Sequence, residues 1–312
     1  MTASTPSTPA RAAFRGIWPA LLTPLNPDLS IDHASFAAHC KSLLARGCGG
    51  VTPFGTTGEG PSFSVAERRD AVDALIAGGV PAARILVSVS CAAVPDAVAL
   101  VRHAQDIGAW GVLLLPPFYF KGVSDAGIVD ALSQVLDAAS SRPLRVVLYH
   151  IPQVAAVGLS QGVIAEMLRR YPNNIVAIKD SQCERAHSLA LAAAFMPPLG
   201  VHVGNELDLP ALAARGSRGA VSGLANFMPR VAHRLATEPD AARTAADHAR
   251  VERLLGWLGG YALIPALKAV MAVQTGDTAW LRVRAPLVAI DGDSFKTFSH
   301  ELAALGLDPA TD

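Results

Sequence analysis

The heptapeptide IVAIKDS at residues 175–181 carries the clearest indication of the fold. Four apolar residues, three of them good strand formers, precede Lys179. A continuous apolar run of this kind is typical of a strand that is buried on both faces of a parallel sheet. Burial of a lysine favours the neutral amine, because desolvation penalises the ammonium form, and a neutral amine is a nucleophile for carbonyl carbon. The alternative is that Lys179 leaves the sheet and reaches solvent, and these seven residues do not distinguish the two.

The composition of the chain indicates a globular protein with a large core and argues against several classes of partner. Of the 312 residues, 51% are hydrophobic and 17% are charged, and the formal net charge is +0. A balanced charge gives no electrostatic reason to expect binding to nucleic acid or to an anionic membrane. No apolar run approaches the ~20 residues that span a bilayer. We therefore expect neither a nucleic-acid partner nor a membrane partner.

Cysteine usage and the amino-terminal residues indicate a reducing, cytoplasmic location. The four cysteines form no C-x-x-C pair, and no histidine is spaced to complete a zinc motif, so we expect no metal site. The cysteines are predicted to be small core residues. Residues 1–15 lack the apolar segment of a secretory signal and are predicted to be a flexible tail, with a transit peptide as the alternative.

Strand-like runs alternate with helical patterns along most of the chain. The predicted strands are residues 17–22, 49–54, 85–89, 111–115, 145–149, 175–179, 201–203 and 219–222. Asp32 is predicted to cap the first helix. The helix after the second strand begins at Ser64, with Glu67 three residues later, which predicts a capping box. Strands that alternate with helices of this length predict a parallel sheet with right-handed crossovers.

Eight strand–helix units within about 220 residues predict an α/β fold of the closed (β/α)8 TIM-barrel type, which commonly has ~250 residues. An open, doubly wound sheet is the alternative, but no G-x-G-x-x-G follows the first strand, which argues against a dinucleotide-binding version. Later in the chain the strand signals stop. Helices are predicted there at residues 241–256, 262–273 and 294–305. The predicted parts of the chain are the tail 1–15, a barrel of residues 16–228 and a C-terminal helical region of residues 229–312.

In such a barrel, catalytic residues collect at the carboxyl ends of the strands. The residues at or just past these ends are Thr23, Thr56, Thr57, Tyr119, Tyr149, Lys179, Asn205, Glu206 and Ser222. They include an amine, two phenols and several hydroxyls, but no histidine or carboxylate cluster suited to a metal. His150 points away from Tyr149 if the side chains of the strand alternate, so we expect a structural role for His150.

The sequence GTTGE at residues 55–59, the GTTGE turn, predicts an anion-binding loop. Its glycines allow successive N–H groups to point at one place, and its two threonine hydroxyls can hold a carboxylate and pass protons. The alternative is a tight turn with a threonine cap. For Tyr149, a neighbouring cation would stabilise the phenolate and make it a usable acid and base. The alternative, for Tyr149 and Tyr119 alike, is a tyrosine that packs its ring at the rim and hydrogen-bonds a loop.

Four motifs, taken in order, resemble those of one family. They are GTTGE at 55–59, Tyr-x-x-Pro at 149–152, Ile-Lys-Asp at 178–180 and Gly-Asn-Glu at 204–206. Their order and separations are similar to those of the dihydrodipicolinate synthase / N-acetylneuraminate lyase family. The resemblance implies a (β/α)8 barrel with a helical C-terminal part, usually assembled as a homotetramer. It also implies a class I lyase or aldolase, needing no cofactor, that acts on pyruvate or a related 2-oxo acid through a lysine Schiff base.

The resemblance implies a role for each matching residue. Lys179 would form the imine, and Tyr149 would move protons between substrate and solvent. Thr56 and Tyr119 would complete a proton relay, with Tyr119 reaching in from a neighbouring subunit. Thr57 and adjacent backbone N–H groups would hold the carboxylate of the 2-oxo acid. The remaining residues that would line the pocket are Gly204 and Val221.

Two departures from the family pattern affect the expected substrate. In the synthase itself an arginine, two residues after the proline of Tyr-x-x-Pro, binds the carboxylate of the second substrate. Val154 occupies that position here and cannot make the charge-assisted contact. The Asp-Ser pair at 180–181 is more similar to 4-hydroxy-2-oxoglutarate aldolases than to the synthase.

We therefore expect a Schiff-base lyase or aldolase of this family. A 4-hydroxy-2-oxoglutarate aldolase-like enzyme or a sugar-acid aldolase is the alternative to the synthase itself. A barrel that binds 2-oxo acids without catalysis is a further alternative. A metal-dependent aldolase would lack ligands at the strand ends.

Overall fold

The strands of the structure run parallel and follow one another around a ring. The computed structural model describes residues 14–239 and 242–306. The strands within these ranges are β1 (Gly16–Pro19), β2 (Leu86–Val89), β3 (Gly111–Leu114), β4 (Val146–His150), β5 (Ile175–Asp180), β6 (Gly200–Val203) and β7 (Gly219–Ser222). Strands β2 to β6 form a continuous parallel ladder, and β1 pairs in parallel with β7.

Val51 and Thr52 occupy the eighth position of the ring. Ala20, just past β1, forms a parallel bridge to Thr52, and Val51 forms one to Ile85, just before β2. Strand β6 lies beside β7, so the ring closes. The predicted (β/α)8 barrel is thereby confirmed, and the open sheet is wrong.

The second predicted strand, residues 49–54, is wrong in its length, because only two of its residues form bridges. Pro53 has no N–H to donate to a ladder. Phe54 has a left-handed backbone with φ +59°, which turns the chain toward the GTTGE turn. The apolar character of the run reflects burial of Phe54, which is 1% exposed, rather than an extended strand.

Helices follow the strands and cover the outside of the barrel. The α-helices of the described residues are α1 (His33–Ala45), α2 (Val65–Ala77), α3 (Val94–Asp106), α4 (Asp125–Asp137), α5 (Pro152–Ala155), α6 (Gln161–Arg170), α7 (Arg185–Phe195), α8 (Leu209–Ala214), α9 (Pro229–Thr237), α10 (Ala242–Leu258), α11 (Leu263–Thr275) and α12 (Gly292–Ala304). The two predicted helix starts, at Asp32 and at Ser64, are both confirmed. Asp32 accepts a hydrogen bond from the Ser35 amide (3.0 Å) at the start of α1, and Ser64 and Glu67 form the capping box of α2.

The C-terminal helices begin against the barrel. Helix α9 packs on β1 and β7, α10 packs on α9, and α12 packs on α11. The division of the chain at residues 15 and 228 stays a prediction. Residues 1–13 of the predicted tail lie outside the described residues. Among the described residues, no single helix has the length and hydropathy of a membrane span. Helices α10 and α11 have that length and hydropathy only when taken together, and they are bent by 119° relative to each other.

Aromatic side chains fill the amino-terminal end of the barrel interior. The Trp18 ring packs against Phe14 (centroids 5.0 Å apart) and Trp110 (5.3 Å), and Phe14 also packs against His202 (4.9 Å). Gly50 makes room for this cluster, since a Cβ atom at that position would lie 2.2 Å from the Trp18 ring. Space for a ligand is therefore expected at the opposite end, where the strands reach their carboxyl termini.

Burial of His202 predicts a pH-dependent stability. Its Nδ1 lies 2.8 Å from the Gly219 carbonyl oxygen. Burial lowers the pKa of His202 from 6.5 to about 4. The unfolded chain would bind a proton below pH 6.5 that the folded chain does not bind until about pH 4. The free energy of unfolding should therefore fall by about 3 kcal/mol as the pH drops through this window.

The change His202→Asn, which keeps an N–H donor toward Gly219, tests this expectation. The free energy of unfolding can be measured by urea unfolding at several pH values between about 4 and 7. Its change with pH should correspond to roughly one fewer bound proton in the variant than in the wild-type chain. A slope equal to that of the wild-type chain would contradict the assignment.

Candidate active site

Lys179 and Tyr149 lie side by side in the barrel interior, at the carboxyl ends of β5 and β4. They are register partners, and Lys179 Nζ lies 4.3 Å from the centroid of the Tyr149 ring. Lys179 is 5% exposed and Tyr149 is 1% exposed. The following residues, His150 and Asp180, bond to groups outside the barrel, as alternation along the strand requires. The alternative interpretation, in which Lys179 leaves the sheet into solvent, is therefore wrong.

A hydroxyl of the GTTGE turn contacts the phenol. Thr56 Oγ1 lies 3.2 Å from Tyr149 Oη, and either oxygen can be the donor. The structure thus brings the predicted nucleophile, Lys179, together with two groups that exchange protons readily. The roles of these residues stay predictions.

Left-handed backbone and small residues shape the GTTGE turn. Phe54 and Glu59 have φ values of +59° and +57°. The Gly55 carbonyl accepts hydrogen bonds from the amides of Gly58 (3.1 Å) and Gly60 (3.0 Å). A Cβ atom at Gly60 would lie 1.9 Å from the Phe54 carbonyl oxygen, so no side chain fits there. The path of the turn is therefore narrowly determined.

Thr57 faces the end of β7. A Cβ atom at Gly223, just past β7, would lie 3.6 Å from Thr57 Oγ1. Within the described residues, the amides of Thr56 and Thr57 donate to no backbone acceptor. Successive N–H groups beside a hydroxyl suit an anion such as a carboxylate.

The two further predicted pocket residues, Gly204 and Val221, lie at the end of β6 and within β7. A Cβ atom at Gly204, just past β6, would lie 3.2 Å from Lys179 Cε and 2.2 Å from Ser181 Oγ. Val221 of β7 is 1% exposed and belongs to the same interior cluster of side chains as Tyr149. Gly204 is thus close to the predicted nucleophile, and Val221 belongs to the barrel interior.

The crowding at Gly204 predicts a strong effect of one methyl group. In the variant Gly204→Ala, the new Cβ should push Ser181 and the Lys179 chain from their places. We expect the rate of imine formation with pyruvate to fall by roughly tenfold or more, because small displacements of reacting groups are costly. The rate can be followed by borohydride trapping and mass spectrometry. The matched control is Gly256→Ala in α10, where a Cβ would meet nothing within 4 Å, and equal losses in the two variants would contradict the prediction.

Tyr119 is the one predicted catalytic residue that the chain does not bring to the others. It is 72% exposed, and its ring contacts Phe120, which is 73% exposed, edge to face at 5.3 Å. Within the described part of the chain it makes no hydrogen bond to Thr56 or Tyr149. Its proposed role therefore depends on a second subunit.

The structure adds residues at the rim that the sequence analysis missed. Lys121 donates hydrogen bonds to the carbonyls of Phe118 and Ala155 (the latter 3.1 Å), which joins the loops after β3 and β4. Gln153 donates to the Ser181 carbonyl and joins the loops after β4 and β5. Lys121 lies in an irregular segment and Gln153 in the four-residue helix α5, which is too short for a periodic pattern, so periodicity gave no signal for either residue.

A polar cluster lies on the outer side of the barrel, behind Lys179. Atoms of His150, Asp180 and His187 that could bind a metal lie within 4.8 Å of one another, a grouping missed at the sequence level because His187 belongs to α7. His150 Nδ1 accepts a hydrogen bond from the Leu159 amide (2.8 Å), which leaves Nε2 to donate to Gln182 (2.8 Å).

The other hydrogen bonds of this cluster favour a structural role. Asp180 accepts hydrogen bonds from His187 (2.9 Å) and from the Gln182 amide (3.0 Å). Burial lowers the pKa of His150 and so keeps its ring neutral. Hydrogen bonds thus engage the atoms that a metal would need, and the cluster anchors the ends of β4 and β5.

Comparison with known proteins agrees with this geometry. A model of the Dihydrodipicolinate synthetase family matches residues 13–305. The chain is 32% identical over 281 residues to an uncharacterized DapA-like lyase of Chloroflexus aurantiacus, which covers 89% of this chain and 93% of the relative. It is 31% identical over 234 residues to a 4-hydroxy-tetrahydrodipicolinate synthase of Acidiphilium cryptum, covering 75% and 77% of the two chains. The crystal structure of dihydrodipicolinate synthase from Agrobacterium tumefaciens has a TM-score of 0.88 at 33% identity, covering 94% of this chain and 99% of that one. Fold, motif order and sequence similarity agree, and the chain belongs to the dihydrodipicolinate synthetase family.

Proposed function

We propose that the chain is a class I lyase or aldolase that makes or breaks a carbon–carbon bond of pyruvate or a related 2-oxo acid through a Schiff base on Lys179. The observation that carries this proposal is the position of Lys179 Nζ, enclosed in the barrel and 4.3 Å from the centroid of the Tyr149 ring. A buried structural lysine would need an anionic or carbonyl partner. Among the described residues, Lys179 forms no ion pair and no hydrogen bond, and its amine lies against the Tyr149 ring, so a structural partner does not account for its burial.

The chemistry follows from that amine. Neutral Lys179 attacks the ketone carbon, and the resulting carbinolamine loses its hydroxyl as water to give a protonated imine. The imine withdraws electrons, so either a proton or a carbon substituent leaves the adjacent carbon and an enamine remains. In the synthetic direction the enamine attacks an aldehyde, and water then hydrolyses the imine to release product and amine. The covalent intermediate divides one difficult step into easier ones.

Tyr149 and Thr56 are suited to move the protons that these steps require. The contact of 3.2 Å between their oxygens allows a proton to pass in either direction. The Tyr149 ring has a second use, because its face lies within the ~6 Å over which a cation is attracted to an aromatic ring. A protonated imine on Lys179 would therefore be stabilised by the same residue.

Thr57 and the amides of the GTTGE turn are proposed to hold the carboxylate of the 2-oxo acid. The site of Thr57, opposite Gly223, supports this role, because the carboxylate would then lie between the turn and the end of β7. Charge-assisted hydrogen bonds to a carboxylate are among the stronger kinds. This cradle would orient the ketone carbon toward Lys179.

The second substrate is proposed to be an aldehyde other than that of the synthase. Val154, which is 61% exposed, takes the place of the synthase arginine and offers no positive charge. A 4-hydroxy-2-oxoglutarate aldolase-like or sugar-acid aldolase activity is therefore favoured over the synthase reaction. A screen for pyruvate release from hydroxy-2-oxo acids and from sialic acid would distinguish these activities.

We propose further that the protein acts in the cytoplasm as a homotetramer in which Tyr119 enters the site of a neighbouring subunit. The exposure of Tyr119 and Phe120 supports a contact there, since two adjacent exposed aromatic side chains are typical of an interface. Light scattering would give the assembly state. A monomer with full activity would contradict the role of Tyr119.

The experiment that tests the proposed function is trapping with borohydride. Wild-type protein is incubated with pyruvate, reduced, digested and analysed by mass spectrometry. We expect one adduct, on Lys179. An unmodified chain, or an adduct on another lysine, would exclude the proposal, whereas an adduct without turnover of any aldehyde or hydroxy-oxo acid would favour a 2-oxo acid binding protein.

A further inference from the structure

A buried ion pair ties the GTTGE turn to the C-terminal helices. Glu59, the last residue of the turn, pairs with Lys268 in the middle of α11, and neither side chain is exposed. The Lys268 ammonium also donates to the Arg282 carbonyl (2.6 Å), and the second Glu59 oxygen accepts from the Arg284 amide (3.0 Å). We call these four residues the Glu59 junction.

The stability of the fold alone does not explain this pair. Burial lowers the pKa of Lys268, and the adjacent Glu59 carboxylate acts in the opposite direction. The desolvation of two buried charges commonly offsets their attraction, so well-packed apolar residues would stabilise the fold as well or better. One use for a buried ion pair is to select a single conformation. Here the candidate conformation is the left-handed backbone of Glu59, φ +57°, which is uncommon for a residue other than glycine.

Glu59 holds the end of a turn whose other residues reach the proposed site. Its amide donates to the Thr56 carbonyl (3.1 Å), and Thr56 Oγ1 lies 3.2 Å from Tyr149 Oη. Thr57 lies between these two residues of the turn. A change in the direction of the chain at Glu59 would therefore move both threonines.

Arg284 strengthens the attachment on the other side of the junction. Its side chain donates to Glu67 (2.6 Å) and to the Ser62 carbonyl (3.0 Å), and its guanidinium lies 4.2 Å from the centroid of the Phe63 ring. The segment after α11 is thus fixed to the chain just beyond the turn as well as to Glu59. The C-terminal part of the chain therefore supports the turn at Glu59, and Thr23, just past β1, supports it at Gly58 by donating a hydrogen bond to the Gly58 carbonyl (2.8 Å).

We propose that Glu59 and Lys268 are positioning residues that hold Thr57 in place for the 2-oxo acid carboxylate and Thr56 in contact with Tyr149. This inference rests on the proposed function of Lys179. It assigns to the C-terminal helices an effect on substrate affinity, exerted through the Glu59 junction. Imine formation at saturating pyruvate should persist without the junction, because the amine itself lies on β5.

Three variants separate positioning from a merely structural role: Glu59→Gln, Lys268→Met and the two combined. The probe is pyruvate, and the readout is the concentration that gives half of the maximal borohydride-trapped adduct. In each single variant this concentration should rise roughly tenfold or more, while the adduct at saturating pyruvate is retained. The matched control, Arg169→Met, removes an exposed ion pair with Glu166 on α6 and should leave the half-saturating pyruvate concentration unchanged.

The combined variant distinguishes affinity from stability. It has no unpaired buried charge, so its thermal midpoint should return toward that of the wild type. Its half-saturating pyruvate concentration should remain raised. If that concentration recovers together with the midpoint, the pair is structural only and the inference is overturned.

Hydrogen exchange tests the inference without any substrate. The amides of Gly58, Glu59 and Gly60 are hydrogen-bonded within the turn region, so their exchange can be measured. In all three variants they should exchange faster, while amides of β4 and β5 keep their wild-type rates. Unchanged exchange at the turn would overturn the inference even if pyruvate forms its adduct. Faster exchange in a protein that forms no adduct would exclude the proposed function alone.

Discussion

Replacement of Lys179 by alanine should leave no borohydride-stable adduct with pyruvate and should reduce turnover by several orders of magnitude. In the proposed mechanism the amine supplies the covalent bond through which all later steps proceed, so no other group in the pocket could compensate. The side chain is 5% exposed and contacts the Tyr149 ring. Its loss should open a small polar space without unpairing an ion, so we expect the variant to fold.

The other lysines provide the controls for this result. Lys296→Ala, which removes an exposed ion pair with Asp293, should keep full adduct formation. Lys268 is buried as well, but its ammonium is paired with Glu59, which favours the charged, non-nucleophilic form. An adduct that persists in Lys179→Ala would contradict the proposal and point to a different lysine. Peptide mapping of the trapped protein identifies that lysine directly.

Tyr149→Phe should lower turnover by about 10²–10⁴-fold, the usual contribution of a positioned acid or base. The variant keeps the aromatic ring that lies 4.3 Å from Lys179 Nζ, so packing and the cation–π contact should be retained. It loses the hydroxyl that meets Thr56. Imine formation at saturating pyruvate should therefore persist in part, while proton transfer at the adjacent carbon slows.

Exchange of the pyruvate methyl protons with deuterium oxide, followed by NMR, measures that proton transfer separately. We expect fast exchange in the wild-type protein and slow exchange in Tyr149→Phe. The matched control is Tyr171→Phe, which removes a hydroxyl that bonds to Asp137 on the outside of the barrel. Equal exchange rates in wild type and Tyr149→Phe would show that another group carries the proton.

Local sequence patterns predicted the helix starts and the buried strand, because these features depend on a few consecutive residues. The capping box at Ser64 and Glu67 and the cap at Asp32 need only three or four consecutive residues, and both are present. Strand β5, which carries Lys179, was recognisable because a strand covered on both faces needs an unbroken apolar run. The predicted length of the second strand, residues 49–54, was wrong for a related reason, because the burial of Phe54 gives the same apolar pattern as an extended strand.

Contacts between distant parts of the chain could not be predicted in this way. The pair of Glu59 with Lys268 joins residues that are more than two hundred positions apart, and neither lies in a recognisable pattern with the other. The outer cluster around His150 depends in the same way on His187 of α7. Hydrophobic periodicity reports which side of an element is buried, but it does not report which polar partners meet there.

The amino-acid sequence by itself determined the barrel, the order of its strands and the residue types at their carboxyl ends, because side-chain alternation and helix capping act over a few residues. The tertiary structure alone decided that Lys179 turns inward to the Tyr149 ring and that Thr56 reaches its hydroxyl. It also decided that Tyr119 stays exposed and that the C-terminal helices support the GTTGE turn. The physical reason is that closure of the ring and burial of charge depend on the whole chain, whereas a strand or a capped helix depends on its neighbours in sequence.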